Sequence, residues 1–327
     1  MIVRPRSSTG RRRTGALAAA ALTLLAPALA SCGDSAGDGN ADKASGGGSG
    51  HQVSITGVGT VEPSADLSGK LPSDVAADKV VKMATNAPYA PFIDFSAEGD
   101  TSHFKGLDYD LVQAIAARLG IEAQFQQQPF DGLVPGLQAG KYDAIVGGIT
   151  DNFERQATAT FVDYTASGTG VLVPDGNPDG IATLADLCGK KVAVQKASKQ
   201  VELMTRFNKS DCGSSPIELT EYPQNTDAVQ ALMAKKAAAM VATKVNLVDA
   251  AAKLDGKVEV VDDPSAPNGY HASPNGIGFD KGDAALAEAF QAALQSLIDD
   301  GTYGKILAKW KQEPIGIDKA TIDAAID

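Results

Sequence analysis

From residue 79 the chain alternates short apolar runs with amphipathic ones. "KVVKMAT" (79–85) reads as a buried strand. The spacing of Leu111, Val112, Ile115 and Leu119 predicts a helix capped by Asp110 and ended by Gly120. "IEAQFQ" predicts a second strand, "FDGLVPGLQAG" a short helix and "YDAIVGG" a third strand. After the turn-rich "GVLVPDGNPDG" the rhythm repeats. "KKVAVQ" (190–195) is a strand, Val201 and Leu203 mark a helix, "TDAVQALMAKK" is another helix, and "AAAMVAT" and "KVEVV" (257–261) are strands. A second turn-rich crossing, "DDPSAPNGYHASPNG", leads to "GIGF" as a returning strand. Two helices follow, one carrying Leu286, Phe290, Leu294, Leu297 and Ile298, the other Tyr303, Ile306, Leu307 and Trp310 at i, i+3, i+4 and i+7. Residues 51–78 are weakly patterned and predict irregular structure with a short helix near Leu71.

Strands alternating with helices predict an α/β fold whose sheets are mixed but mostly parallel. Two such sets joined by two hinge crossings predict a two-lobed clamshell, with lobe 1 drawn from residues 70–172 and 273–327 and lobe 2 from residues 175–268. In open α/β sheets a ligand binds beyond the carboxyl ends of the strands, so both lobes would face one cleft and close by hinge motion.

The first residues change the setting. Arg4, Arg6, Arg11, Arg12 and Arg13 precede an apolar run, Ala16 to Ala30, too short for a comfortable membrane span. The pattern fits a secretory signal, residues 1–31, and the small residues of "LAS" before Cys32 look like a bacterial lipobox, implying cleavage before Cys32 and acylation of its thiol. Stable anchoring would need more than one acyl chain. "GDSAGDGNADKASGGGSG" cannot bury enough surface to fold, so residues 32–60 are expected as a tether, its first eighteen residues reaching on the order of 23 Å. Without the five leader arginines the chain holds 24 basic and 40 acidic residues, a net of −16. Nucleic acid is therefore excluded as a partner, and the acidity is read as solubility outside the cell. The remaining cysteines, Cys188 and Cys212, suggest a disulfide in an exported protein, two free thiols or a metal site being the alternatives. No metal is expected, because His51, His103 and His271 are scattered, and no cofactor is called for.

The stretch "GGITDNFERQ" (147–156) ends a buried strand in bare backbone and a lone arginine. It stands in a series: "YAPF" (89–92), "GLDYDLVQAIAARLG" (106–120), "FDGLVPGLQAGKYDAIVGGIT" (130–150), "ERQATATFVDY" (154–164) and "LIDDGTYGKILAKW" (297–310). In this order and spacing the chain resembles the family 3 bacterial extracellular solute-binding proteins, receptors of polar-amino-acid ABC transporters. "DLCGKKVAVQ" with the later Cys212 is similar to lipoprotein members from high-GC Gram-positive bacteria. The resemblance implies a periplasmic-binding-protein-like type II fold. It implies that Arg155 grips a ligand carboxylate, which a guanidinium does bidentately. It gives Thr150 an assisting role, the Gly148 carbonyl to an α-ammonium, Tyr89 and Phe130 to aromatic walls, Asn86 and Gln195 to the ligand side chain, and Ser198 to the second-lobe side of the carboxylate site.

The sequence also departs from the family pattern. The acid expected to meet the α-ammonium falls on Thr243, an earlier one on Ala238, and the usual "GT" is Ala197-Ser198. The neutral Asn86 stands where relatives often carry Asp. A buried ammonium without a carboxylate loses a charge-assisted bond. Either another acid meets the amine, or the ligand is not a standard α-amino acid. The expected function is a lipid-anchored, monomeric, non-enzymatic receptor on the outer face of the membrane, handing a small carboxylate-bearing solute to ABC permease subunits. The alternatives are a cyclohexadienyl-dehydratase-like enzyme, disfavoured by a cleft without an evident general base, and a sensing module that would need a separate membrane partner.

Overall fold

The computed structural model describes residues 51–326, so the expected signal peptide, Cys32 and the start of the tether lie outside the described residues. Strands β1 (Val53–Ile55) and β2 (Gly59–Val61) form an antiparallel hairpin. Ile55 and Val61 sit in the core of the first lobe, so residues 53–61 fold where the sequence predicted tether and irregular chain. Helices α1 (Ala65–Ser68) and α2 (Ser73–Asp78) follow on either side of Leu71.

The first lobe continues through β3 (Val80–Thr85), β4 (Asp94–Phe95), β5 (Phe104–Lys105), α3 (Leu107–Leu119), β6 (Glu122–Gln127), α4 (Leu133–Gln138), β7 (Ala144–Ile145) and α5 (Phe153–Gln156) to the long strand β8 (Ala159–Pro174). Helix α3 begins three residues before its expected cap. The carbonyls of Pro91 and Phe92 accept the N–H groups of Leu107 and Asp108, so the first turn needs no side-chain cap. Asp110 instead lies inside the helix, accepting from Trp310 Nε1 at 2.7 Å and pairing with Lys309 at 2.7 Å. Gly120 ends the helix in the left-handed conformation, as its position predicts.

The second lobe holds β9 (Lys191–Gln195), α6 (Lys199–Ser210), β10 (Glu218–Tyr222), α7 (Asn225–Met233), β11 (Ala239–Thr243), α8 (Lys244–Lys253) and β12 (Val258–Val260). The chain returns along β13 (Tyr270–Asp280) and ends with α9 (Ala284–Asp299), α10 (Thr302–Trp310) and the short β14 (Thr321–Ile322) on the first lobe. Cys188 and Cys212 are joined as a disulfide, with their Cα atoms 5.2 Å apart.

One curled sheet runs through the molecule in the order β10-β9-β11-β8-β13-β7-β3-β6, with β12 and β14 also pairing with β8. The outer pairs of each lobe are parallel: β10 and β11 with β9, and β6 and β7 with β3. The middle is antiparallel, because β8 and β13 run in opposite directions between the lobes. The apolar runs have both faces buried, as helix-covered strands require. Val192 and Val194 pack with Leu203 and Met204 on one side, while Ala193 packs with Ala228 and Leu232 on the other. In the first lobe Met83 and Val146 face the core of α3 and α9, and Ala84 and Ile145 face Leu133 and Leu137.

The two long strands cross between lobes at a pair of glycines. A Cβ on Gly168 would lie 2.4 Å from the carbonyl carbon of Gly269, and Gly269 has φ +89°. Side chains at this crossing would force the strands apart, so the hinge backbone is bare for a packing reason.

Candidate functional site

The cleft between the lobes is assembled from strand ends. Val146 follows β7, and the chain then turns at Gly147 and Gly148, with φ of 141° and 64°. Gly148 lies against the aromatic rings beneath it: a Cβ there would approach Phe92 to 2.8 Å and Tyr89 to 3.0 Å. Its N–H donates to Asp108 Oδ2 at 2.7 Å and its carbonyl accepts from Asn275 Nδ2 at 3.2 Å. Asp108 also accepts from Tyr164 Oη at 2.7 Å, and burial pushes its carboxyl up to about 7. The glycine carbonyl expected for an α-ammonium is thus already bonded to an amide, with one lone pair left.

Asn152 caps α5, its Oδ1 accepting from the Arg155 N–H at 2.9 Å. The cap sets the direction of the arginine. Its Nη1 donates to the carbonyl of Thr150 at 2.6 Å and its Nη2 to the carbonyl of Ala197 in the second lobe at 3.1 Å, while the guanidinium carbon lies 5.6 Å from the Phe130 ring centre. No carboxylate among the described residues lies within ion-pair distance of Arg155. Burial lowers its pKa to about 10, still well above neutral, so the guanidinium stays charged. A half-buried guanidinium held only by carbonyls keeps charge available for an anion.

From the second lobe, Ala197 and Ser198 lead into α6. Ala197 has φ +59°, a conformation the family glycine would adopt without strain, so the alanine costs about 1 kcal/mol to place its carbonyl on Arg155. Ser198 stands at the N-cap without a side-chain cap bond, and its Oγ is buried with no protein partner. Lys199 is 5% exposed and lies 3.3 Å from Glu202. Gln200 Nε2 donates to Thr169 Oγ1 at 3.2 Å.

These groups border a small cavity of about 10 Å³ lined by Tyr89, Phe130, Gly148, Thr150, Arg155, Gln195, Ser198, Lys199, Gln200 and Thr243. Eight of the nine ligand positions inferred from sequence therefore border one cavity, and the ninth, Asn86, sits just behind it. Asn86 Oδ1 accepts from Gln195 Nε2 at 3.0 Å and its Nδ2 donates to the carbonyl of Gln128 at 2.8 Å. Thr243 bonds Tyr89 rather than standing open: Tyr89 Oη donates to Thr243 Oγ1 at 2.9 Å and accepts from the Thr243 N–H at 3.2 Å. Lys199 and Gln200 were not foreseen. The signal for Lys199 was a cation at the first position of a helix, where the helix dipole disfavours it.

The strand order, the two hinge strands and a polar cleft between lobes define a two-lobed α/β ligand-binding protein. The chain belongs to the bacterial extracellular solute-binding proteins, family 3, whose family model matches residues 81–313. It is 31% identical over 268 residues to the arginine-binding protein ArgT of Corynebacterium glutamicum, covering 81% of this chain and 83% of that one. The solved structure of an ancestral arginine-binding protein bound to glutamine is similar with a TM-score of 0.64 and 30% identity, covering 72% of this chain and 99% of that one. The ancestral amino acid-binding protein AncCDT-1, a precursor of cyclohexadienyl dehydratase, has a TM-score of 0.62 and 30% identity, covering 72% of this chain and 97% of that one. Among the described residues no helix is long and apolar enough to cross a membrane.

Proposed function

We propose that this chain is the lipid-anchored receptor of an ABC importer on the outer face of the cell membrane, binding a small carboxylate-bearing solute between its lobes. The observation that carries the reading is Arg155, a half-buried cation reaching both lobes through carbonyls and lacking a carboxylate partner among the described residues. A solute carboxylate would take up its charge and bridge the lobes, and Thr150 and Ser198 border the same space. The amino-acid receptors among its relatives support a polar amino acid or a derivative as the solute. The similarity to AncCDT-1 keeps a dehydratase in view, but among the described residues no Asp, Glu or His lines the cavity to act as a general base. The anchor reading rests on the basic leader, the apolar run and Cys32.

Titration calorimetry of the purified protein against amino and organic acids tests the receptor reading. Saturable one-to-one binding is expected, with Arg155→Ala weakening it by about two orders of magnitude. A panel without any binder, or an Arg155→Ala protein that binds as the wild type does, overturns it.

A further inference from the structure

The neutral residue at Thr243 left two readings open, and the polar atoms around the cavity favour one of them. Among the described residues that line the cavity there is no aspartate or glutamate. The acids in its surroundings are engaged elsewhere. Asp108 stands behind Gly148, accepting from the Gly148 N–H and from Tyr164 Oη at 2.7 Å each, and burial pushes its carboxyl up to about 7, so much of its charge is lost near neutral pH. Asp151 is fully buried, and both of its oxygens accept from Gln156 Nε2, at 2.8 and 2.9 Å. Glu202 lines the outer groove and meets Lys199 at 3.3 Å and Asn152 Nδ2 at 3.2 Å. Asp131 pairs with Lys196 at 2.9 Å on the rim.

An α-ammonium carries three donors and gives up its hydration on entering such a site. The acceptors it would meet here are neutral and largely in use. The Gly148 carbonyl accepts from Asn275 Nδ2 at 3.2 Å, and the Thr150 carbonyl from Arg155 Nη1 at 2.6 Å. Thr243 Oγ1 accepts from Tyr89 Oη at 2.9 Å, while Tyr89 Oη accepts from the Thr243 N–H at 3.2 Å. Ser198 Oγ is buried without a protein partner and can serve as donor or acceptor. An uncharged polar group needs one or two such bonds and no counter-charge. The oxygens that leave an ammonium short therefore suffice for a hydroxyl, an oxo group or an amide.

Resting on the receptor reading above, we propose that the cleft selects carboxylates whose α-substituent is an uncharged hydrogen-bonding group, with the acid on Arg155 and the α-group beside the Gly148 carbonyl and Thr243. 2-Hydroxy acids, 2-oxo acids and N-acyl amino acids share this chemistry. A free amino acid with the same side chain brings an α-charge whose desolvation no cavity acid offsets, and the cleft discriminates against it.

The experiment is calorimetry of the purified protein with matched series. The side chains of alanine, leucine, phenylalanine, glutamate and arginine are each presented as the L-amino acid, the L-2-hydroxy acid, the 2-oxo acid and the N-acetyl amino acid. In any series that binds, the best uncharged form is expected to exceed its amino acid by about ten-fold or more, and which form leads identifies the source. Thr243→Asp should shrink or reverse that ratio, with Thr243→Asn as the control for shape. A smaller wild-type margin, or an amino acid that binds tighter than its uncharged counterparts, overturns the proposal and leaves the receptor reading standing. A folded Thr243→Asp protein with the wild-type ratio does the same, because the α-group would then lie elsewhere. Silence from all the series also overturns it, and the receptor reading falls with it only if the wider panel of amino and organic acids is silent too. Should Thr243→Asp fail to fold, the wild-type ratios alone decide.

Discussion

Replacing Thr243 by aspartate should raise the affinity of this cleft for α-ammonium and guanidinium groups. Thr243 is 3% exposed and stands at the N-cap of the ten-residue helix α8 without a side-chain cap bond. A carboxylate there would be costly to bury, by several kcal/mol if nothing compensated it. Three features compensate. Tyr89 Oη already donates to the residue at this position at 2.9 Å and would donate to a carboxylate more strongly. The N-terminus of α8 adds roughly 0.3–1 kcal/mol for an anion. An aspartate N-cap also accepts from first-turn N–H groups, worth about 1 kcal/mol. The variant should therefore fold, with a melting temperature within a few degrees of wild type. A ligand ammonium or guanidinium would then meet a buried charge, worth about 3 kcal/mol or about two orders of magnitude in Kd. Calorimetry with L-arginine on wild type, Thr243→Asp and Thr243→Asn measures the gain, the asparagine controlling for shape. A folded Thr243→Asp protein whose L-arginine affinity equals that of Thr243→Asn refutes the reasoning, because the carboxylate would then be present and unused.

Two further predictions concern the frame around the cleft. Burial raises Asp108 to about 7 in the folded chain, so its contribution to stability is fully present below the unfolded carboxylate range and is lost as the pH rises through 7. Asp108→Asn, which keeps an oxygen to accept from Gly148 and Tyr164, should flatten that part of the melting-temperature curve and match or exceed wild type at pH 8; an unchanged pH dependence would refute the assignment. Replacing both Cys188 and Cys212 by serine should lower urea-unfolding stability by about 3 kcal/mol, the chain-entropy value for a separation of 24 residues, and a loss below about 1 kcal/mol would show that the crosslink is not a structural staple.

The parts of the fold that were legible in the sequence are those where one periodicity dominates. Strands β3, β9 and β11 are apolar on both faces because helices cover both, and a continuous apolar run reports that directly. The hairpin of β1 and β2 was hidden because two three-residue strands offer too few alternations to read. Strand β13 was hidden behind its turn residues. It starts at Tyr270 and carries Pro274 and Gly276, which read as a crossing, yet the pairing with β8 shifts register between Tyr270 and Ser273 and again between Asn275 and Gly276. A proline inside a strand is accommodated at such irregularities. Of the site, the residues expected around Arg155 were named through the family pattern, and the structure places them, except Asn86, around one cavity. The cross-lobe pairs were not legible. Tyr89 meets Thr243 over 154 positions and Gln195 meets Asn86 over 109, and only the closed arrangement of the lobes brings them together. Lys199 escaped because a lysine at a helix start reads as a solvated face until burial is known.

Those cross-lobe pairs bear on how a ligand gains its affinity. Some lie at the rim and can persist in a complex: Lys196 with Asp131 at 2.9 Å, Lys253 with Asp94 at 3.5 Å, and Asn246 Nδ2 donating to the carbonyl of Ala90 at 2.7 Å. Others border the space a ligand would enter, namely Arg155 with the carbonyl of Ala197, and Tyr89 with Thr243. The rim contacts favour closure whatever is bound, so they contribute no selectivity and reduce the closing energy a ligand must supply. The inner contacts compete with the ligand for the same donors, so a solute gains only the difference between its bonds and theirs. A neutral group replacing the Ala197 carbonyl on Arg155 gains little, because one neutral acceptor has replaced another. A carboxylate gains the step from neutral to charge-assisted bonding, about a doubling in strength per bond. On the receptor reading, the closed, carbonyl-satisfied arginine would therefore itself act as a filter for anions, before any side chain of the solute is read.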